Sequence, residues 1–462
     1  MRIWALRQLR KSAGQYAASA AVVAVVSAFG VLLIEAIDAL TRAAAAAGID
    51  DGSIAVGLGS VGAVFLGVAL LTAGVVVTNT FTTVYAGRLR EIALLRLVGA
   101  TSRQIRGTAL IDGAVVGLAG AVAGILAGSG VALAGIAALN ASLRAGLSFG
   151  VPVALWLGPI AAGVLATTLA AHAAARGVSR TSPAAAIGAA ATAAQPSRRA
   201  VRVRTVLGLV SFVAGGAGLA LGCLVGLVTP LGVLVGFVGG VFSIVGVIVA
   251  APSLLLPPIR WTAALLPRTA AVRLAAANMM QEPLRTARTV LAVTVGVTLI
   301  TMFVVAGTMW STYLHGALDG EQSGEDVLTG MLSAVAVLTS FSVVVAAIGV
   351  ASTLSLSVLH RRREIGMLRA AGMTRRQVRR MLLAEALLTT GAGVLSGLVL
   401  GVVYGFAGYT STLASARVLP PELPWSYVPV VLVGALVFGA VASLAPGRRA
   451  GRVPPAEALQ AL

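Results

Sequence analysis

Residues 88–106 read RLREIALLRLVGATSRQIR, and a similar stretch, RRREIGMLRAAGMTRRQVR, lies 273 positions further on at residues 361–379. Both stretches lie between long apolar runs. The match is densest in Arg, Glu and Gln, which a bilayer does not select, so general similarity between membrane helices does not explain it. The same register continues as far as Arg176 and Arg449 with no net insertion. A repeat of this length predicts two homologous halves.

Composition assigns the chain to a membrane. Hydrophobic residues make up 58% of the 462 residues, charged residues make up 11%, and the mean hydropathy is +0.97. A water-soluble globule of this length needs more charge. Because about 20 apolar residues cross a bilayer, the sequence predicts an all-α integral membrane protein. We predict ten spans, at 13–36, 55–86, 107–138, 152–172, 205–228, 229–256, 289–312, 331–359, 381–409 and 426–445.

The basic residues predict the orientation of these spans. If the N-terminus is cytoplasmic, 31 of the 34 Lys and Arg residues fall on the cytoplasmic side, whereas the outer loops carry acids such as Asp50, Asp51 and Asp319. The positive-inside rule therefore predicts cytoplasmic N- and C-termini. This one-sided distribution accounts for the net charge of +19 without nucleic acid as a partner.

The repeat and the spans together predict a 4 + 2 + 4 architecture. Each half has one span, a short outer loop and three further spans, with the repeated loop between its second and third spans. Two spans between the halves have no copy elsewhere. The Pro-rich stretch 252–268 reads as one of the linkers around them. The predicted domains are residues 1–187, the linkers with the central hairpin at 188–270, and residues 271–462.

The repeated loop predicts a short amphipathic helix at the membrane surface. Ile92, Leu95 and Val98 follow helical spacing and form an apolar stripe. Their partners in the second copy are Ile365, Leu368 and Ala371. A single Arg here can be a simple orientation signal. Glu91 and Glu364 cannot, because an acid contributes nothing to orientation, so we expect them to pair with nearby Arg residues or with a docked protein.

A sharp turn is predicted to follow this helix. Gly99 and Gly372 suit a left-handed stop. The capping-box pairs that would start the next helix are Thr101 with Gln104 and Thr374 with Gln377. The loop therefore reads as helix, turn and transmembrane helix, and a stiff element of this kind can transmit a push into the membrane.

Two acids are predicted to lie inside spans. Asp112 and Glu385 occupy matching positions about one turn into the third and ninth spans. An uncompensated charge costs on the order of 3 kcal/mol at the bilayer centre and less near its surface. We therefore expect both near the cytoplasmic rim. One explanation is snorkelling or pairing with the adjacent Arg cluster, and the other is a hinge or ion pair that changes during a conformational cycle.

Small residues recur at four-residue spacing in both halves. Such ladders place glycines on one helix face, where they allow close helix packing. The ladders are Gly120, Gly124 and Gly128 in the first half and Gly393, Gly397 and Gly401 in the second.

The sequence shows no catalytic or metal-binding constellation. His172, His315 and His360 are scattered, and Cys223 is the only cysteine. The only lysine, Lys11, does not belong to a GxxxxGK[ST] motif. We therefore expect a non-enzyme that binds no metal or cofactor itself.

Three features together resemble the FtsX/MacB-type permease family of ABC transporters. They are the two REIxxLRxxGxTxxQ loops, the Ser-Pro-Ala and Pro-Pro-Ala-Glu-Ala-Leu ends of the halves, and the order of spans. Both halves are covered, and the central spans resemble those of ten-span members such as the bacitracin-type peptide exporters. The resemblance implies that 88–99 and 361–372 are coupling helices. The coupling residues it implicates are Arg88, Glu91, Leu95, Arg96 and Gly99, with Arg361, Glu364, Leu368, Arg369 and Gly372.

The resemblance also implies a partner and an activity. The coupling helices would seat on a separately encoded dimer of ABC ATPase subunits, which would bind ATP and Mg. The chain would export or extract an amphiphile, such as a peptide, a lipid-like compound or a drug. Many relatives carry a large extracytoplasmic domain after the first span of a half or between spans seven and eight, where this chain has short acidic loops.

Two other functions fit the sequence. A signalling or scaffold module for envelope stress would pass a conformational change to partners without transport. An ion-coupled secondary transporter would need acids within the membrane, for which Asp112 and Glu385 are the only well-placed candidates.

Overall fold

The protein is a bundle of long α-helices. In a computed structural model of the full chain, the part described has no strand and contains eleven α-helices. The described residues are 13–46, 52–143, 153–179, 198–229, 231–267, 269–318 and 372–413, with the single positions 344, 427, 429, 433 and 434.

Eight of these helices are long and apolar enough to cross a membrane. They agree with eight of the ten predicted spans and confirm the all-α membrane class. The remaining two, at 331–359 and 426–445, lie almost wholly outside the described residues, as do the N-terminal segment 1–12 and the ends of both halves.

The first compact unit comprises residues 1–196 and 229–234. Its helices are α1 (Ala13–Ala46), α2 (Gly52–Gly87), α3 (Leu89–Leu97), α4 (Ser102–Leu143) and α5 (Leu157–Ser179), with a 3₁₀ turn at Val153–Trp156. The four long helices α1, α2, α4 and α5 pack together, and α3 joins α2 to α4. Aromatic and small residues fill the core at one end, among them Tyr16, Phe81, Tyr85 and Ala109.

The second compact unit comprises residues 197–228 and 235–462. Its helices are α6 (Arg198–Gly226), α7 (Gly232–Val249), α8 (Ala251–Leu265), α9 (Ala270–Gln281), α10 (Pro283–Leu318) and α11 (Arg375–Leu413). The α10–α11 pair is its main interface, and α6, α8 and α9 also pack on α11. The central pair α6 and α7 therefore shares a unit with the second half. Ser243 of α7 and Tyr404 of α11 share a hydrogen bond of 2.8 Å.

The interpretation of 252–268 as a linker was wrong. Residues Ala251–Leu265 form α8, with Pro257 and Pro258 inside the helix. Each internal proline removes a hydrogen-bond donor and costs about 3 kcal/mol in an isolated helix. Leu255 and Ile259 are fully buried in the core of the unit, and tertiary packing of such a face outweighs local propensity.

Candidate functional site

The short helix α3 ends in a complete left-handed stop. Gly99 has φ +101°, a backbone conformation that a residue with a Cβ disfavours. Its amide donates to the carbonyl oxygen of Arg96 at 3.1 Å, and the Ala100 amide donates to the carbonyl oxygen of Leu95 at 2.9 Å. These are the two bonds of a Schellman motif. The predicted stop is confirmed, and it fixes the angle between α3 and the next helix.

The predicted capping box starts α4 directly after this stop. The Thr101 amide donates to Gln104 Oε1 at 2.9 Å, and the Gln104 amide donates to Thr101 Oγ1 at 3.3 Å. Two of the unpaired amides at the helix start are therefore satisfied reciprocally. Only Ala100 separates the stop from the cap, so α3 and α4 are joined by a defined turn.

The second copy has the same turn. Gly372 has φ +95°, and the Thr374 and Gln377 amides form the reciprocal capping bonds at 2.8 and 3.3 Å. This confirms the predicted turn at the start of α11. The coupling residues before it, Arg361, Glu364, Leu368 and Arg369, lie outside the described residues.

Helix α3 buries one side and exposes an apolar end. Ile92 is 7% exposed and belongs to the core of the first unit. Leu97 and Val98 are 62% and 89% exposed. Val98, the last residue of the predicted apolar stripe, follows the end of the helix at Leu97. Glu91, in the first turn of α3, is also exposed, whereas Leu95 and Arg96 are half-buried.

A buried polar cluster lies beneath the start of α3. The Tyr85 hydroxyl of α2 donates to Asp112 Oδ2 of α4 at 2.9 Å, and the Tyr16 hydroxyl of α1 lies 3.5 Å from the same oxygen. Arg88 donates from Nη1 to the Tyr16 hydroxyl at 3.5 Å, and its guanidinium carbon lies 5.7 Å from the centre of the Tyr16 ring. We call these four residues the Tyr–Asp cluster.

The Tyr–Asp cluster links α3 to three membrane helices. Arg88 is the residue from which α3 begins, and Tyr16, Tyr85 and Asp112 are each no more than 5% exposed. A buried carboxyl group needs hydrogen-bond donors, so the two hydroxyl groups hold Asp112 and α4 in register with α1 and α2. A displacement of α3 would pass through Arg88 and Tyr16 into this bundle.

The sequence indicated only part of the cluster. Asp112 was predicted as a hinge or ion pair, and among the described residues its contacts are tyrosine hydroxyls rather than an ion pair within 4 Å. Tyr16 and Tyr85 were missed. The signal was available, because the chain has only six tyrosines and these two flank the predicted ends of spans nearest the repeated loop.

The glycine ladders lie at close helix crossings in both units. A Cβ on Gly124 would collide with the Ala24 carbonyl oxygen of α1, and one on Gly397 would lie 2.9 Å from the Thr294 carbonyl oxygen of α10. The remaining ladder positions make similar approaches, with Gly120 and Gly128 against α1 and Gly393 and Gly401 against α10. The two crossings therefore share one packing register.

This register shows what replaces the cluster in the second half. At the 273-residue offset, Ala20, Ala24 and Ala28 match Val293, Val297 and Thr301, the α10 residues nearest to the second ladder, and Tyr16 matches Thr289. In the sequence repeat, Val358 stands where the first half has Tyr85. Glu385, which matches Asp112, is buried in α11. Neither of the two positions that match the cluster tyrosines carries a phenol.

Comparisons with known proteins identify two matching segments. Residues 63–183 and 336–455 each match the family described as FtsX-like permease, C-terminal. Together they cover just over half of the chain and coincide with the two halves of the repeat.

Individual relatives match about a third of the chain or less. An uncharacterised ABC transporter permease of Bacillus subtilis, YknZ, is 30% identical over 155 residues, which are 32% of this chain and 38% of that protein. The lipoprotein-releasing system transmembrane protein LolC of Haemophilus influenzae is 33% identical over 126 residues, 27% of this chain and 32% of that protein. The macrolide export ATP-binding/permease protein MacB of Vibrio parahaemolyticus is 32% identical over 133 residues, 29% of this chain and 19% of that protein. The matches thus span well under two thirds of these relatives.

Proposed function

Because the chain belongs to the FtsX-like permease family, we propose that it is the transmembrane permease subunit of an ABC transporter. In this proposal a separate ATPase dimer docks on the two copies of the repeated loop and supplies ATP and Mg chemistry. The chain itself has no ATPase site. It lies in a bacterial plasma membrane with both termini in the cytoplasm, and it exports or extracts an amphiphile that enters from the bilayer.

The exposed apolar end of α3 is the observation that carries the proposal. Leu97 and Val98 are exposed at the end of α3, and Glu91 is exposed in its first turn. Exposed apolar residues rimmed by charge are typical of a protein interface. The Schellman turn and capping box hold this end rigidly on α4, so a docked partner could move α4 by moving α3.

The Tyr–Asp cluster supplies the second step of the proposed coupling. Arg88, at the start of α3, contacts Tyr16 of α1. Asp112 of α4 contacts Tyr16 and Tyr85 and so connects α4 to α1 and α2. Hydrogen bonds within a buried site are strong and directional. The cluster would therefore move these helices as a group when the ATPase subunits close and open.

Copurification with the ATPase tests the docking step. The tagged chain is coexpressed with the candidate ATPase and purified in mild detergent, as wild type and as Val98→Asp. A charge placed in an apolar interface costs on the order of 2 kcal/mol, so we expect roughly tenfold or greater loss of recovered ATPase. The double variant Glu91→Gln with Glu364→Gln probes the charged part of both loops.

Val228→Asp is the matched control. Val228 is 80% exposed and, like Val98, lies in the turn after a helix, but in this proposal it faces the opposite side of the membrane. It should leave ATPase recovery unchanged. Equal losses from both variants would contradict docking at α3. Cellular accumulation of candidate amphiphiles, with and without the ATPase, tests transport, and equal efflux without the ATPase would reject the assignment.

A further inference from the structure

A basic groove opens where α6 begins and α7 ends. Its volume is about 460 Å³, and its lining residues are Arg199, Ala200, Val203, Arg204, Leu207 and Val249. Two cations therefore stand at one end of an otherwise apolar surface. At least half of the Val203 and Leu207 side chains is exposed, so the apolar part of the groove is open.

Arg204 is held in place in this groove. Its Nε donates to the carbonyl oxygen of Val249 at 3.0 Å. The Thr205 and Ser253 hydroxyls, 3.1 Å apart, tie the same turn of α6 to the start of α8. Within the described part of the chain, the terminal nitrogens of Arg204 make no hydrogen bond. An oriented guanidinium with two free nitrogens can bind a phosphate group in a bidentate manner.

The helices that form the groove provide no counter-charge. The sequence contains no Asp or Glu between Asp112 and Glu282, which includes all of α6, α7 and α8. Arg288 of α10, which is also positive, lies within electrostatic reach of Arg204. The exposed Glu282, just before α10, is the first acid in the chain after the groove. An external anion would relieve this concentration of positive charge.

The groove lies at the level where the helices enter the membrane. No charged residue follows Arg204 as far as the end of α6 at Gly226, and no Asp, Glu, Lys or Arg follows Arg288 in α10. Both arginines are thus the last ionic residues before a long apolar run. This is the depth of phospholipid headgroups in the leaflet that the basic segments face.

We propose that this groove binds the phosphate-bearing headgroup of an anionic phospholipid. Arg199 and Arg204 contact the phosphate, and an acyl chain lies along Val203 and Leu207. Basic pockets between membrane helices on the cytoplasmic side bind such headgroups. A lipid fits better than a free phosphate because the groove continues into exposed apolar surface. This inference does not depend on the docking of an ATPase.

Lipid titration of the full chain tests the proposal. Delipidated protein in neutral detergent is titrated with phosphatidylglycerol, phosphatidylcholine or inorganic phosphate, and binding is followed by native mass spectrometry. We expect phosphatidylglycerol to bind most tightly. Arg199→Gln with Arg204→Gln should weaken its binding by at least about tenfold, given the contribution of each basic residue near a bilayer surface.

Two further variants separate a built groove from general positive charge. Arg202→Gln with Arg260→Gln removes the same charge from exposed positions that do not line the groove, and it should weaken binding much less. Val203→Trp fills the groove at unchanged charge and should also weaken binding, while thermal unfolding without lipid checks that it folds. Equal losses from both double variants, full binding by Val203→Trp, or equally tight binding of inorganic phosphate would each overturn the proposal.

Discussion

The two copies of the repeated loop share their turn and differ on either side of it. In each copy a glycine with positive φ leads into a Thr–Gln capping box. Before the turn, Leu97 and Val98 are replaced by Ala370 and Ala371 in the second copy. Beneath the loop, the first half has the Tyr–Asp cluster, whereas the second has Thr and Val in place of its tyrosines.

Under the proposed coupling mechanism, this difference predicts that the two halves do not couple equally. The turn sets the angle between the loop helix and the membrane helix, so a duplicated lever needs it twice. In this proposal the exposed apolar end of the loop helix determines how tightly the partner binds. The Tyr–Asp cluster determines how strongly a movement of that helix is transmitted to the other helices. The first half has the larger apolar residues and both cluster tyrosines, and we therefore expect the first loop to contribute more of the coupling free energy.

The largest expected effect concerns the helix crossings. At Gly124 an added side chain would meet three backbone atoms of Ala24, whereas at Gly397 it would lie 2.6 Å from Val297 Cβ and 2.9 Å from the Thr294 carbonyl oxygen. The approach is closer at Gly124, so Gly124→Val should destabilise the protein by about 3 kcal/mol and Gly397→Val by about 2 kcal/mol. Thermal unfolding in detergent measures both.

Gly130→Val is the control for this pair. Gly130 lies on α4 with Gly124, and a Cβ there would meet no atom within 4 Å. Its substitution should leave the unfolding temperature nearly unchanged, since only helix propensity differs. A larger loss from Gly397→Val than from Gly124→Val would show that the second crossing is the tighter one.

An intermediate effect is expected at the first residue of each copy of the repeated loop. Arg88 stacks on Tyr16, whereas threonine takes the place of that tyrosine in the second half. A cation–π contact contributes about 1 kcal/mol, so Arg88→Gln should lower substrate-stimulated ATP hydrolysis by roughly fivefold in proteoliposomes with the ATPase. The matching variant Arg361→Gln should lower it less.

Arg88→Lys distinguishes this contact from an orientation signal. Lysine keeps the positive charge that sets topology but lacks the planar group that lies over the ring. Partial rescue by lysine supports the cluster. Complete rescue, or equal losses from Arg88→Gln and Arg361→Gln, would remove the proposed inequality between the halves.

Much of this organisation was readable from sequence, because it rests on local patterns. Apolar runs predicted the eight helices that are long and apolar enough to cross a membrane, and Gly99 and Gly372 with their Thr–Gln pairs predicted the turns. Each depends on residues close together in the chain, where backbone chemistry leaves few alternatives.

The missed features depend on residues that are distant in sequence. Tyr16 lies 96 residues from Asp112, and a tyrosine near a membrane surface ordinarily reads as an interfacial anchor. The helix at Ala251–Leu265 forms despite its prolines because its buried face packs on other helices. Packing partners of this kind are set by the assembled bundle, and periodicity along one segment does not identify them.

The smallest effect should be the same in both halves, because it concerns the shared turn. Thr101→Ala and Thr374→Ala each remove a hydroxyl that accepts a helix amide at 3.3 Å. Loss of such a cap costs about 0.5–1 kcal/mol, so each should lower the unfolding temperature slightly and by similar amounts. Serine at either position keeps the hydroxyl and should restore stability. Different losses of stability at the two caps would mean that the turn itself differs between the halves. The asymmetry would then lie in the turn rather than in the Tyr–Asp cluster.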